Sequence, residues 1–181
     1  NSSGSDSLAI GRNVKANASS SVAIGAYARV GGIIGKYAFA NDYINGAGDA
    51  QQGKYVLHVS TTDATAIALT STGTSASATN QVNLQNNSAY AFHGTIVARE
   101  KASEGTECAA WKVEGLIRRE GSAGTTVLVN SATTIIDNTY NWNMVLSADT
   151  TNGGLAITCT GAASTNIRWV ATIHTSEVIY A

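Results

Sequence analysis

Two copies of one short motif, Ser7-Leu8-Ala9-Ile10-Gly11 and Ser21-Val22-Ala23-Ile24-Gly25, stand 14 residues apart. No other feature constrains the fold as tightly. A repeat this short cannot enclose a core of its own, so each turn must bury its apolar residues against the next turn or against another chain. Within each copy a small polar residue, a large apolar one, Ala, Ile and Gly spell a very short strand closed by a glycine turn. Leu8 with Ile10, and Val22 with Ile24, are expected to point inward. Such a pair is too little to offset the entropy of ordering a whole turn. Three chains wound around a common axis would let the pairs meet and would cover the strand edges that one chain exposes. Residues 1–32 are therefore read as a short β-roll closed as a homotrimer.

Beyond the repeats the period breaks at Gly31-Gly32-Ile33-Ile34-Gly35. Residues 33–53 are expected to form an irregular coil or short helix that caps the roll, with Tyr37, Phe39, Tyr43 and Ile44 covering its last apolar layer. From residue 54 to 181 the chain alternates apolar and polar residues between Gly, Asn and Ser turns, with no helical period. The first two strands are placed at Tyr55–Val59 and Ala64–Leu69. In the later ones Tyr90, Phe92, Ile96 and Ala98 share one phase, as do Trp111, Val113 and Ile117, then Trp142, Met144, Leu146 and Ala148. Leu155, Ile157 and Cys159 form a further set, and Ile167, Trp169, Ala171 and Ile173 the last. All three tryptophans fall in the apolar phase and are read as core. The fold class is all-β, a short roll followed by a β-sandwich of jelly-roll type, intertwined as a homotrimer.

The opposite phases carry His93, Arg99, Lys112, Glu114, Arg118 and Arg168, which are candidates for subunit contacts in such a trimer. The formal net charge is −1, and the 11 basic residues are scattered without a run, so nucleic acid is not an expected partner. No apolar stretch is long enough for a helical membrane span, and no membrane insertion is expected. The chain starts inside a repeat array without Met and reads as a piece of something longer. Cys108 and Cys159 lack the spacing of a metal site and are read as buried free thiols, a single bridge between them being left open.

Catalytic chemistry is not evident. The three histidines, His58, His93 and His174, stand singly on separate strands, with no nucleophile, metal or phosphate-binding motif around them. Asp63, Asp137 and Asp149 suit turn formation better than paired acid chemistry. Neither an enzyme nor a cofactor is expected. The loop Asp137-Asn138-Thr139-Tyr140-Asn141-Trp142-Asn143 is the first candidate for ligand binding: Tyr140 to stack on a sugar ring, Asn138 and Asn141 to hydrogen-bond it, and Trp142 to anchor the loop from the core. Asn86-Asn87-Ser88 is a second candidate.

The motif of Ser7 to Gly32, with Ala26-Tyr27-Ala28-Arg29 echoing Arg12-Asn13-Val14-Lys15, resembles the head repeats of trimeric autotransporter adhesins, which are left-handed trimeric β-rolls also found in phage tail fibres. Residues 35–52, 110–121, 147–155 and 166–174 resemble the C-terminal regions of phage and prophage tail-fibre proteins. The resemblance implies a virion tail-fibre tip that attaches a homotrimer to a host surface glycan or outer-membrane receptor without covalent chemistry. It also implies that a chain ending at Ala181 fits a tip from which a chaperone domain has been cleaved. A bacterial trimeric surface adhesin is the alternative reading, and a glycan-cleaving fibre a third.

Overall fold

The computed structural model describes residues 1–180, so the expectation about the end at Ala181 falls outside the described residues. The chain is all-β. Its strands are β1 (Leu8–Arg12), β2 (Val22–Ala26), β3 (Tyr37–Ala40), β4 (Ala50–Thr61), β5 (Ile67–Ala68), β6 (Val82–Asn83), β7 (Ser88–Glu100), β8 (Cys108–Arg119), β9 (Val127–Asp137), β10 (Asn143–Asp149), β11 (Gly154–Thr160) and β12 (Ile167–Ile179). One 3-10 turn lies at Ala123–Thr125. Eight strands make one continuous sheet in the order β1-β2-β3-β4-β12-β7-β8-β9. The first three are parallel and the rest antiparallel. A smaller sheet of β10, β11 and β5, with β6 also on β11, packs over the antiparallel part.

The parallel strands are the coils of the roll. Leu8, Val22 and Tyr37 are in register, as are Ala9, Ala23 and Ala38, and Ile10, Ile24 and Phe39. The repeat shows in the turns too, where Asp6 and Ser20, and Asn13 and Tyr27, take positive φ at equivalent places. The facing of the strands reverses the expectation. The interior of the coils is filled by Ala16, Ala18, Ala23, Ala28, Ala38 and Ala40 with Val14 and Val30. Leu8 and Ile10 are 48% and 52% exposed. So thin a coil has room only for small side chains, and the large ones stand outside it as a two-row apolar ladder.

Residues 33–53 hold a third coil strand, β3, followed by a loop, and none of them is helical. Residues 41–49 form an irregular loop with no helix, in which the backbone N–H groups of Ile44, Asn45 and Gly46 donate to the Asp49 carboxylate at 2.6–3.0 Å and bend the chain around that acid. β4 then runs across the expected boundary at residue 53 without a break. Its stretch Tyr55–Val59 lies where the alternation placed it, whereas the second strand is only Ile67–Ala68 and belongs to the smaller sheet.

Between the sheets, the alternating residues of β4, β7, β8, β11 and β12 form one buried cluster. Trp111 and Trp169 stack at 5.6 Å and Trp142 tilts against Trp169 at 5.9 Å, all three being core as their phases required. Roll and sandwich are joined by a second, polar core. Lys36 Nζ donates to Glu177 Oε2 at 2.6 Å, both side chains being buried. The same carboxylate accepts from Gln51, Tyr55 and Thr175, and the ammonium lies over the rings of Tyr55 and Tyr90.

Candidate functional site

The topology sorts the loops between two ends. Roll coils attach where β4 begins, so the far end, about 36 Å away along the strand at about 3.3 Å per residue, gathers loops 62–66, 101–107, 138–142 and 161–166. The loop first singled out by sequence is one of these. Tyr140 projects from it, 51% exposed. Asn138 turns inward and its amide donates to the Trp142 carbonyl at 2.7 Å. Asn141 sits at φ +55°, in the left-handed region that Asn tolerates. Trp142 is buried against Trp169 and anchors the loop. Tyr140 and Asn141 thus face solvent, while Asn138 and Trp142 hold the loop's shape. Asn86-Asn87-Ser88 lies at the opposite, roll-side end, so the two candidate sites are not brought together.

Next to the Tyr140 loop the structure places an arrangement that the sequence did not reveal. A cleft of about 480 Å³ is lined by Ser60 and Thr61 from β4, Arg99 and Glu100 from β7, Lys101 and Ala102 after it, and Asn166, Ile167 and Arg168 from β12. Arg99 and Arg168 are direct cross-strand partners on the outer face. Arg99 donates to the Glu107 carbonyl at 3.0 Å. Asn166 gives two hydrogen bonds, at 2.8 and 2.6 Å, to the Glu104 carboxylate, which ties loop 101–107 to the start of β12. A Cβ on Gly105 would overlap a carboxylate oxygen of both Glu100 and Glu107, so these two acids flank one small space. The Glu107 carboxyl is held below its usual range first by its own backbone N–H and then by the Tyr140 hydroxyl; the Tyr140 phenol is pushed up in turn by that carboxylate. The phases in the sequence put Arg99 and Arg168 on the outer face, but only the pairing register brings them side by side.

The histidines are not all solitary. His93 and His174 are cross-strand partners whose rings stack at 5.3 Å, within 7° of parallel. Their row across the sheet reads Lys54, His174, His93, Glu114. Partial burial, then Lys54 and His93, lower the pKa of His174. His58 stands apart with its ring against Gly73. Cys108 is exposed, against expectation, because β8 begins with it at the open edge of the tip; Cys159 is buried, its thiol pushed well up by that burial, and the two are not bridged. Among the described residues no group of three or more His, Cys, Asp or Glu side chains is placed to hold a metal ion, and no helix is long and apolar enough to cross a membrane.

No protein-family model matches the chain, and no curated protein is significantly similar to it. Among solved structures it is similar to the tailspike protein gp49 of Acinetobacter baumannii bacteriophage Fri1, described as a capsular polysaccharide depolymerase, with 14% identity and a TM-score of 0.38 over 71% of this chain and 18% of that one. It is also similar to the tailspike of Acinetobacter phage vB_ApiP_P1, at 11% identity and a TM-score of 0.34 over 96% of this chain and 39% of that one. The chain thus spans well under half the length of either tailspike. Likenesses at these scores carry no argument about this chain's activity.

Proposed function

We propose that the chain is the distal part of a homotrimeric phage tail fibre or spike that attaches to a host surface glycan or outer-membrane receptor without cleaving it. The observation that carries this reading is the apolar ladder outside the coils, with Leu8, Val22 and Tyr37 in one row and Ile10, Ile24 and Phe39 in the other. One chain leaves Leu8 and Ile10 exposed and the other four only partly buried, and contiguous apolar surface on a rigid sheet marks an interaction face. β9 supports the same reading. It is an 11-residue edge strand, bonded within the chain only to β8, with Ile135 and Ile136 each 61% exposed. Long apolar edges are normally protected. Two different uncovered surfaces on one chain suit a heterologous contact that closes into a ring. Three tips on one axis then raise avidity for a repetitive cell surface.

The test combines mass and adsorption. Light scattering of the purified chain is expected to give three times the 18.6 kDa chain mass, and the labelled trimer is expected to adsorb to some members of a panel of intact bacteria and to leave their glycans intact. A monomer, or a trimer that adsorbs to none, overturns the reading. A second reading, cleavage of the bound glycan, is favoured by the approach of Glu100 and Glu107 around Gly105, because glycoside hydrolysis uses two nearby carboxyl groups. Release of reducing ends from host polysaccharide, abolished by Glu107→Gln, would select it.

A further inference from the structure

The cleft at the tip has an electrostatic composition that the rest of the chain does not satisfy. Arg99 and Arg168 stand directly opposite each other, a placement that costs stability for like charges unless something anionic lies between them. Neither guanidinium has a carboxylate within 4 Å among the described residues; Arg99 is bonded to the Glu107 backbone carbonyl, with the Glu107 carboxylate farther off but within reach of its charge. Lys101 adds a third cation. It is itself paired with Glu104 at 3.7 Å, which Asn166 holds in place, so the two arginines are the cations left without a salt bridge. Glu100 lines the same cleft, pairs with none of these cations, and leaves Oε2 buried without a donor. Buried polar groups are normally satisfied.

We infer that this cleft binds a carboxylate-bearing sugar, a uronic or ulosonic acid residue of a surface glycan. This names the glycan class within the receptor-binding reading and rests on that reading. Such a sugar supplies what the cleft lacks in one molecule. Its carboxylate takes the Arg99 and Arg168 guanidinium groups, which match a planar carboxylate bidentately, and a ring hydroxyl donates to Glu100 Oε1, since Oε2 is buried beneath Gly105. Ser60 and Asn166 present further polar groups, and Ala102 adds a small apolar one. Inorganic phosphate satisfies the cations but brings no ring hydroxyl for Glu100, a neutral sugar leaves the cations unpaired, and a phosphorylated sugar is separated from a carboxylate one by the array. The volume falls in the range of about 300–1,000 Å³ typical of small-molecule sites. Three copies of this cationic patch repel one another on a threefold axis, which keeps the cleft on the outside of a trimer.

The experiment is a glycan array probed with the full chain at low salt, carrying glucuronate-, galacturonate- and N-acetylneuraminate-terminated oligosaccharides, their neutral counterparts and phosphorylated ones. Retention is expected on carboxylate sugars alone. It should weaken about tenfold or more in Arg168→Ala and in Arg99→Ala, as loss of a charged hydrogen bond requires, recover partly in Arg168→Lys, and fall with added salt. Both arginines are exposed, so the circular dichroism of the variants should match that of the parent. Retention of no acidic sugar, equal retention of neutral or phosphorylated glycans, or indifference to Arg168→Ala overturns the assignment. Adsorption to intact bacteria separates this failure from the wider one. If the parent adsorbs and Arg168→Ala adsorbs equally, the cleft assignment falls and the receptor reading stands. If the parent adsorbs to no cell, the receptor reading falls whatever the array shows.

Discussion

Gly25 shows how a repeat is enforced by single atoms. Its φ is +103°, and a Cβ there would overlap the Ala40 carbonyl oxygen of the next coil; Gly11 stands in the same relation to Gly25. The glycine that closes each motif is therefore required twice, by backbone sign and by the spacing of stacked coils. Gly25→Ala is expected to cost about 1–3 kcal/mol in chemical denaturation, whereas Gly46→Ala, with open space around it and no positive φ, should cost almost nothing. His174 yields a second prediction. Burial, Lys54 and His93 lower its folded pKa, so near its ordinary pKa the unfolded chain binds the proton more tightly than the folded one. Stability is then full above about pH 6.5 and declines as pH falls through the folded pKa. Glu114 stands opposite His93 and does not adjoin His174 in the row. Denaturation midpoints measured from pH 8 to pH 5 should fall, and His174→Gln should flatten that part of the profile. The stacking itself was not legible in the sequence, where the two histidines are far apart and belong to no motif.

Among the elements, the last strand does most to unite the molecule. β12 lies between β4 and β7 and delivers Glu177 to Lys36 at the root of the roll. Burial and then the Glu177 charge push the Tyr55 phenol well up, so Tyr55 stays protonated and remains a donor to that carboxylate. Glu177→Gln leaves a buried ammonium without its counter-charge, and urea unfolding at fixed protein concentration should show a loss of about 3–5 kcal/mol. The double variant Lys36→Met with Glu177→Gln should lose less, because no unpaired charge is left behind. Alternation made the faces of β7, β8, β11 and β12 readable in advance, since period two leaves little choice once one face is apolar. It did not reveal that β3 and β4 would join roll and sandwich in one sheet. Tyr37–Ala40 is a strand because β2 templates it on one side and β4 pairs it on the other, and neither neighbour can be inferred from the segment itself.

At the scale of the whole molecule the partly exposed ladder and the β9 edge are the surfaces on which the proposed assembly rests. Ile10→Asp with Ile24→Asp places charge in one row of the ladder on two neighbouring coils. If the parent is the proposed trimer, light scattering of this variant is expected to give the mass of one chain in place of three, with the sandwich fold retained by circular dichroism; an unchanged mass would move the proposed trimer contact away from the roll. The sequence by itself determined the all-β class, the stacked coils and the apolar phases of β7, β8, β10, β11 and β12, because these follow from local periodicity and from turn residues acting within a few positions of one another. Tertiary structure alone decided which side of the coils takes the large side chains, where the polar core lies, and that Arg99, Lys101 and Arg168 converge with Glu100 on one cleft at the tip. The physical reason is that strand register and the stacking distance of coils are set by packing between segments remote in the chain, and no local pattern of residues encodes that distance.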